Sequence, residues 1–306
     1  MPLVTIVLPV FNATATLVET LSSLRAQSLR DFEIVAVDDH STDGSSELLR
    51  ALAEEEPRLR VLTNPRKGPS AARNHGACQG RGRYIAFCDA DDLWHPDKLA
   101  RLVPAFTRSD ASAFYGRVAF VTADGAPTGV VSRLPAERLS IAALLGENPV
   151  CCMSNLTVRA EAFFATGGFD EDMVHAEDVE WMIRLIGAGG RVCGLPEVQV
   201  SYRASPAGLS SDLGAMARGR ARALRTAARY GVRPDRRAEA VHHRYLARRA
   251  LRLGLSPAVA IGHALRGLAR APVPFLVPPR RGVATLAAAV LNPILPRALA
   301  RRLFAR

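Results

Sequence analysis

Three carboxylates lie within four residues of the octapeptide FCDADDLW, which occupies residues 87–94. Carboxylates this close repel one another, yet they follow an apolar run that is typical of a buried strand. Asp89 and Asp91 are two positions apart and direct their oxygens to one place. Mg²⁺ or Mn²⁺ would remove the repulsion, and magnesium is often held by one or two carboxylates plus substrate phosphates. The stretch therefore predicts a site for a metal and a diphosphate; the alternative is a solvated loop in which Asp92 caps the next helix.

Alternating strand and helix patterns surround this stretch. Apolar runs predict strands at residues 5–9, 32–37, 60–62 and 84–88, and a helix is predicted after each of them. Four such units in series predict a parallel, doubly wound sheet. Ligands of these sheets bind beyond the carboxyl ends of the strands. We therefore expect the three polar motifs that follow strands to lie along one edge, namely residues 9–12, 38–39 and 89–91.

The pattern changes after about residue 110. Strands are predicted at residues 113–121 and 155–159, a helix at 177–186, and an extended segment at 192–203 that Pro196 interrupts. From residue 216 onward the chain looks helical, with a helical hairpin at about 240–270. We predict a catalytic domain at 1–215, with halves 1–110 and 111–215, and a C-terminal helical extension at 216–306.

Charge is distributed unevenly between these two parts. Residues 216–306 contain 20 arginines and only two acids, a net charge of +18, whereas residues 1–215 have a net charge of −7. Residues 283–291 form an apolar run too short to span a membrane, before further arginines. The extension therefore predicts contact with the inner face of the cytoplasmic membrane or docking on the protein, including a second copy in a homodimer. Nucleic acid is disfavoured as a partner because no recognition motif or interleaved aromatic residues accompany the charge.

Other bulk features predict a globular protein of the cytoplasm. The first strand begins almost at Met1, without the basic region or cleavage site of a secretory signal. Five scattered cysteines with no C-x-x-C pair indicate neither a disulfide framework nor a zinc site.

Four motifs in order resemble the signatures of family 2 glycosyltransferases with the GT-A fold. They are VTIVLPVFN at 4–12, VDDHSTDG at 37–44, GPSAARNHG at 68–76 and FCDADD at 87–92. The resemblance covers about residues 3–210. It implies an α/β GT-A fold with a Rossmann-like, mostly parallel sheet. It also implies transfer of a sugar from a nucleotide-diphosphate donor to a saccharide or lipid-linked acceptor, usually with inversion, in polysaccharide or glycan biosynthesis.

The resemblance also implies a set of donor-binding residues. Pro9 and Asp39 would line the nucleoside pocket, Asp39 accepting a hydrogen bond from the base and Asp38 supporting the pocket. Arg73 and Lys67 would face the diphosphate. The alternatives are helix caps for the two aspartates, a turn for Asn12 and a surface position for Arg73. The complete predicted donor set is Pro9, Val10, Asn12, Asp38, Asp39, Lys67, Arg73, Asp89 and Ala90.

The same resemblance makes Asp89 and Asp91 the DXD pair that holds Mg²⁺ or Mn²⁺, with Asp91 on the metal and Asp89 nearer the ribose. Members of the family often add a histidine close to residue 205, where this chain has Ser205. Ligation of the metal would then depend on Asp91, water and phosphate. The QxxRW motif of processive synthases is absent from this chain, so we expect the addition of single sugars.

Glu177 and Asp178 begin a predicted helix and resemble the ED motif of the family. By that resemblance Asp178 is the general base for the acceptor hydroxyl, and Glu177 binds the acceptor. A free aspartate is a weak base, but positioning matters more than basicity when the hydroxyl becomes acidic during transfer. The alternative is that both acids stabilise the positive end of the helix dipole.

Three other classes of protein fit these motifs less well. A nucleotidyltransferase would need a glycine-rich signature near the first strand, where this chain has residues 9–12 instead. A catalytically silent nucleotide-sugar-binding module, recruited through the basic extension, is the remaining alternative. A dehydrogenase is disfavoured because the glycines at 76, 80 and 82 do not have the G-x-G-x-x-G spacing.

Overall fold

The computed structural model describes residues 1–135, 138–203 and 212–293. The chain divides into two compact units. The first unit comprises residues 1–139 and 149–205, and the second comprises residues 140–148 and 206–306. Residues 140–148, which the sequence grouped with the catalytic domain, thus cluster with the C-terminal helices.

The described residues of the first unit contain nine strands in one sheet. These are β1 (Val4–Val10), β2 (Phe32–Asp38), β3 (Leu59–Thr63), β4 (Tyr84–Phe87), β5 (Leu93–Trp94), β6 (Ala113–Val121), β7 (Pro127–Val131), β8 (Leu156–Arg159) and β9 (Val192–Arg203). Their order across the sheet is β3-β2-β1-β4-β8-β6-β9-β5, with β7 paired to β6.

Helices cross over between the first four strands, which pair in parallel as predicted. The remaining sheet is mixed, because β8 runs antiparallel to both β4 and β6 while β9 runs parallel to β6. The expected break at Pro196 is a register irregularity within the single strand β9. The helices of this unit are α1 (Leu17–Arg25), α2 (Ser45–Glu55), α3 (Pro69–Gln79), α4 (Lys98–Thr107), α6 (Ala160–Ala165) and α7 (Glu177–Gly187), with α5 (Ile141–Leu144) in the second unit.

Helix α3 packs unusually close to the buried strands β1 and β2. A Cβ atom at Gly76 would lie 2.6 Å from Val7 Cγ1 and 3.1 Å from Val37 Cγ2. Real Cβ atoms do not approach other atoms so closely, so this crossing requires glycine. The helix begins after Gly68, whose φ of +131° also favours glycine. These two glycines fix where α3 starts and how near it lies to the edge of the sheet.

The regular secondary structure of the second unit, in its described residues, consists of helices. Its helices are α5, α8 (Leu213–Arg229), α9 (Arg236–Arg252), α10 (Pro257–Arg270), α11 (Pro272–Leu276) and α12 (Pro279–Leu291). The predicted hairpin corresponds to α9 and α10, and Gly254 between them has a φ of +63°. Alanines, Leu251 and Phe275 form the apolar core between α9, α10 and α12. No helix in the described ranges has both the length and the apolar character needed to cross a membrane.

Candidate active site

The three polar motifs that follow strands lie along one edge of the sheet, as their positions in the sequence predicted. Val10 pairs in register with Asp38, and the Asp39 N–H donates to the Val10 carbonyl at 2.7 Å. On the other side of β1, the Cys88 N–H donates to the Val7 carbonyl at 3.0 Å. Parallel pairing of β1, β2 and β4 therefore brings the acids after β2 and β4 to the same end of the sheet.

The buried carboxylate of Asp39 anchors the loop that leads into α3. It accepts hydrogen bonds from Asn64 Nδ2 at 2.6 Å and from the Gly68 N–H at 2.9 Å. Lys67 lies in this loop, with its Nζ 5.1 Å from the centre of the Phe11 ring. Asp39 was predicted to meet a nucleoside base, whereas its described contacts are with this loop. Asn64 was missed, because a single polar residue after a short strand gives no sequence signal.

Asn12 joins the loops that follow β1 and β2. Its φ is +49°, its Oδ1 accepts from the Thr42 N–H at 2.8 Å, and its own N–H donates to Ser41 Oγ at 3.0 Å. Asp38 Oδ1 accepts from the Ser41 N–H at 3.2 Å. The turn alternative thus describes the contacts of Asn12, whereas Asp38 bonds to the loop ahead of α2 and does not cap that helix. Both contacts hold the rim of the site in shape.

Arg73 links three of the predicted motifs. It is 5% exposed, and its Nη2 donates to Asp89 Oδ1 at 2.7 Å while its Nη1 donates to Glu177 Oε1 at 2.8 Å. Arg73 was predicted to face a diphosphate, but its guanidinium lies between two carboxylates that are 88 positions apart in the sequence. The pair of charge-assisted hydrogen bonds brings the start of α7 to the acidic loop after β4.

The site contains more carboxylate side chains than the single positive charge of Arg73 can neutralise. Burial, reinforced by the charge of Asp89, raises the pKa of Asp91 to about 6. Burial raises the pKa of Glu177 to about 7 against the opposing charge of Arg73. Burial also raises the pKa of Asp178, although its Oδ1 accepts from the Val179 N–H at 2.7 Å. Desolvated carboxylates that cluster in this way are typical of functional sites, and a cation would relieve them.

A divalent cation fits this donor set only with help from a bound ligand. Within the described part of the chain, no three acidic, histidine or cysteine side chains form a group that could hold a metal ion. Asp89 and Asp91 supply oxygen donors of the type that magnesium and manganese prefer. A cation here would take its other ligands from water and from substrate phosphates. Ser205, predicted to replace a ligand histidine, lies outside the described residues.

Asp92 forms a buried network behind the acidic loop. Its Oδ2 accepts from Ser154 Oγ at 2.5 Å and its Oδ1 from the Arg203 N–H at 3.0 Å. Ser154 Oγ in turn accepts from the Asp89 N–H at 2.9 Å. The sequence offered Asp92 only as a helix cap and gave no signal for Ser154. Together they fix the backbone that presents Asp89 and Asp91.

Arg203, at the end of β9, also binds the acidic loop. Its Nε donates to the Asp91 carbonyl at 3.0 Å, and its Nη2 donates to Glu19 Oε2 at 2.6 Å. The buried Lys98 donates from Nζ to the Ser154 carbonyl and lies 4.2 Å from the centre of the Trp94 ring. Burial lowers the pKa of Lys98 to about 7. Ser154 and Arg203 therefore hold the acidic loop through the Asp89 N–H, the Asp91 carbonyl and the Asp92 carboxylate, and neither bonds to the carboxylates of Asp89 and Asp91.

Ser154→Ala should lower the free energy of unfolding by about 2–3 kcal/mol, because Asp92 loses a donor and the Asp89 N–H loses its acceptor in a buried place. Ser132 gives a matched control, since it is also buried but, among the described residues, its Oγ accepts only the Val118 N–H, at 2.8 Å. Ser132→Ala should cost about 1 kcal/mol. Urea denaturation of the two variants and the parent measures the difference. Equal losses would show that the link to Asp89 and Asp92 adds nothing.

Comparison with solved structures identifies the fold. The mannosyltransferase PcManGT from Pyrobaculum calidifontis, in complex with GDP-Man and Mn²⁺, matches with a TM-score of 0.61 and 23% identity, over 99% of this chain and 84% of that one. S. aureus TarS 1–349 in complex with UDP-GlcNAc matches with a TM-score of 0.60 and 18% identity, over 99% of this chain and 88% of that one. The fold is GT-A, as the sequence predicted, with a mixed sheet and C-terminal helices.

Curated relatives extend the likeness to bacterial polysaccharide enzymes. TuaG of Bacillus subtilis, named as a teichuronic acid biosynthesis glycosyltransferase, is 29% identical over 69% of this chain and 82% of its own length. WfgD of Escherichia coli, named as a UDP-Glc:alpha-D-GlcNAc-diphosphoundecaprenol beta-1,3-glucosyltransferase, is 26% identical over 69% of this chain and 80% of its own length. An uncharacterized glycosyltransferase of Haemophilus influenzae is 31% identical over 52% of this chain, which spans only 63% of that relative.

The family model "Glycosyl transferase family 2" matches residues 5–164, which are more than half of the chain. That range contains β1 to β4, β8 and the acidic loop that Arg73, Ser154 and Arg203 hold in place. The sequence motifs, the fold and the family model therefore agree, and the chain belongs to glycosyl transferase family 2.

Proposed function

We propose that this protein transfers a single sugar from a nucleotide-diphosphate donor to a saccharide or lipid-linked acceptor, with inversion, in the biosynthesis of a polysaccharide or glycan. The observation that carries the proposal is the contact of Arg73 with both Asp89 and Glu177. This contact joins the acidic loop, suited to a diphosphate and its cation, to the acid pair that begins α7. Relatives named as glycosyltransferases favour an enzyme over the alternative, a silent binding module.

The donor would lie along the edge of the sheet, its nucleoside near Pro9, Val10, Asp38 and Asp39 and its diphosphate near Lys67, Asp89 and Ala90. The structural neighbours named with UDP-GlcNAc and GDP-Man support a nucleotide-sugar donor. Asp91 and Asp89 would hold Mg²⁺ or Mn²⁺, as the neighbour named with Mn²⁺ supports. When bound, such a cation neutralises the charge that develops on the leaving diphosphate. Arg73 would act indirectly, by holding the carboxylate of Asp89 in orientation.

Asp178 would take the proton of the acceptor hydroxyl. It stands at the second position of α7, directly after Glu177, whose carboxylate Arg73 holds at 2.8 Å. Burial raises the pKa of Asp178 and makes it a stronger base than a free aspartate. Glu177 would contribute to acceptor binding at the N-terminal end of the same helix. This arrangement supports direct attack of the acceptor on the anomeric carbon, opposite the leaving group.

The name of one relative and the charge of the second unit support an acceptor class and a place of action. The name of WfgD specifies a sugar on diphosphoundecaprenol, so a lipid-linked acceptor is reasonable for this chain. We place the protein in the cytoplasm, in peripheral contact with the inner face of the membrane through its basic second unit. A homodimer through that unit is the competing arrangement.

The test is a panel of UDP-, GDP- and dTDP-sugars, each with and without Mn²⁺ or Mg²⁺, monitored by thermal shift and by release of the nucleotide. We expect one nucleotide class to raise the melting temperature by several degrees only when the metal is present, and to be turned over slowly. Binding without any turnover, with or without saccharide acceptors, would favour the silent module. Failure of every donor to bind would overturn the proposal.

A further inference from the structure

Four arginines of the second unit lie near a single carboxylate, and two of them contact it. Glu147 accepts from Arg281 Nη1 at 2.9 Å and from Arg244 Nη2 at 3.4 Å. Arg248 and Arg252 follow Arg244 at intervals of four residues on α9 and therefore share its face of the helix. Neither Arg248 nor Arg252 has an ion pair or a hydrogen bond to another described residue. We call Arg244, Arg248, Arg252 and Arg281 the arginine cluster.

The arginine cluster has a net positive charge in a partly desolvated place. Arg244 is 5% exposed and the other three are half-buried. Burial, together with the charges of Arg252 and Arg281, lowers the pKa of Arg248 to about 10. Like charges four residues apart destabilise a helix, and among the described residues Glu147 forms ion pairs with only two of these four guanidinium groups. An anion with several oxygens would offset the repulsion, and guanidinium groups suit phosphate because they donate in pairs.

The same unit exposes apolar side chains without any acid among them. Seven of the fourteen large hydrophobic residues that are exposed in the described chain lie within residues 257–293: Val259, Leu265, Val273, Val277, Val283, Val290 and Leu291. The exposed positions of α12 between 283 and 291 are all apolar and recur at the spacing of one helical face. No Asp or Glu follows Glu239 in the sequence. Arginine and apolar residues without acids are typical of surfaces that lie on anionic bilayers.

We propose that the arginine cluster binds the phosphate group of an anionic membrane lipid, while the exposed apolar residues of α10 to α12 enter the same bilayer. The inference deepens the membrane contact proposed above and rests on that contact, not on sugar transfer. A soluble phosphate compound would offer the same chemistry to the arginines. It would leave the seven exposed hydrophobic side chains in water, and for that reason we assign the site to a lipid.

Arg248→Gln/Arg252→Gln tests the site and leaves both ion pairs of Glu147 intact. Its matched control is Arg218→Gln/Arg225→Gln, which removes two exposed arginines of α8 and changes the net charge equally. The full chain, without donor, is sedimented with vesicles of phosphatidylcholine alone or mixed with phosphatidylglycerol. We expect binding only to the mixed vesicles, at least a tenfold lower partition for the site variant, and less than a threefold change for the control. The site variant should also melt at the same or a higher temperature, because repulsion is relieved.

A second arm separates lipid from soluble phosphate. Pyrophosphate is added to the full chain in a thermal-shift assay, and Val283→Gln/Val290→Gln is included among the vesicle samples. The apolar variant should weaken vesicle binding and leave any pyrophosphate effect unchanged. Stabilisation by pyrophosphate without vesicle binding would overturn the lipid assignment, as would equal losses in the arginine site and control variants. If light scattering shows that the parent chain is a dimer and that Val283→Gln/Val290→Gln is a monomer, the apolar face binds a second copy and the lipid assignment is overturned. Donor binding is measured separately, so failure here leaves the proposed transfer untouched.

Discussion

Asp178→Asn should reduce turnover by about 10²–10⁴-fold, the range that a general base contributes, and should leave donor affinity within about twofold. Asparagine keeps the size of the side chain and can still accept from the Val179 N–H, so α7 should begin as before. It cannot accept a proton from the acceptor hydroxyl. The measurement is steady-state turnover with an identified donor and acceptor, together with donor binding by calorimetry.

The pH dependence provides an independent check on the same residue. The base must be ionised to work, and burial raises the pKa of Asp178 above the usual range for aspartate. Turnover should therefore fall on the acid side, beginning at a higher pH than a free aspartate would give. In Asp178→Asn this acidic limb should disappear from the residual activity. Burial raises the pKa of Glu177 as well, so the acidic limb of the pH profile reports the titration of Glu177 and Asp178 together.

Glu161→Gln is the control for this variant, because Glu161 is an exposed acid on α6. It should retain full activity and an unchanged pH profile. If Asp178→Asn retained more than a tenth of the parent turnover, another group would have to accept the proton. The role of Asp178 would then be limited to stabilising the start of α7.

The sequence predicted the parts of the site that depend on local pattern. Strand ends can be read from apolar runs, so the alignment of Asp38, Asp39 and Asp89 along one edge was predictable. The first four parallel strands were predictable for the same reason. The antiparallel position of β8 between β4 and β6 was not predictable, because pairing between distant strands is decided by packing and not by periodicity.

The contacts of the site were less predictable than its position. Arg73 was expected to face a ligand, yet it bonds to Glu177, which lies 104 positions later. Ser154 and Arg203 hold the acidic loop from segments whose own sequence shows no chemistry. Such residues act through a neighbour's main chain, so their function exists only once the fold has formed. Their types, a serine ahead of β8 and an arginine at the end of β9, are too common to signal it.

Asp91→Asn should abolish metal-dependent donor binding, which we expect to fall at least 100-fold, while making the protein without metal more stable. The pKa of Asp91 is raised from 3.8 to about 6, so the folded state binds this proton more tightly than the unfolded state. Stability therefore falls as the pH rises from about 4 to 6, and above pH 6 the ionised side chain costs about 3 kcal/mol. Asparagine removes that cost.

Two measurements at pH 7.5 separate these effects: urea denaturation without metal, and the thermal shift produced by donor with Mn²⁺. For Asp91→Asn we expect a gain of about 2–3 kcal/mol in the first and loss of the shift in the second. Asp31→Asn, at an exposed position, should change neither. A variant that lost stability as well would show that Asp91 is a structural acid. A gain in stability combined with loss of binding is expected of a carboxylate that is kept desolvated for a cation. The same side chain then lowers the stability of the fold and is required for function.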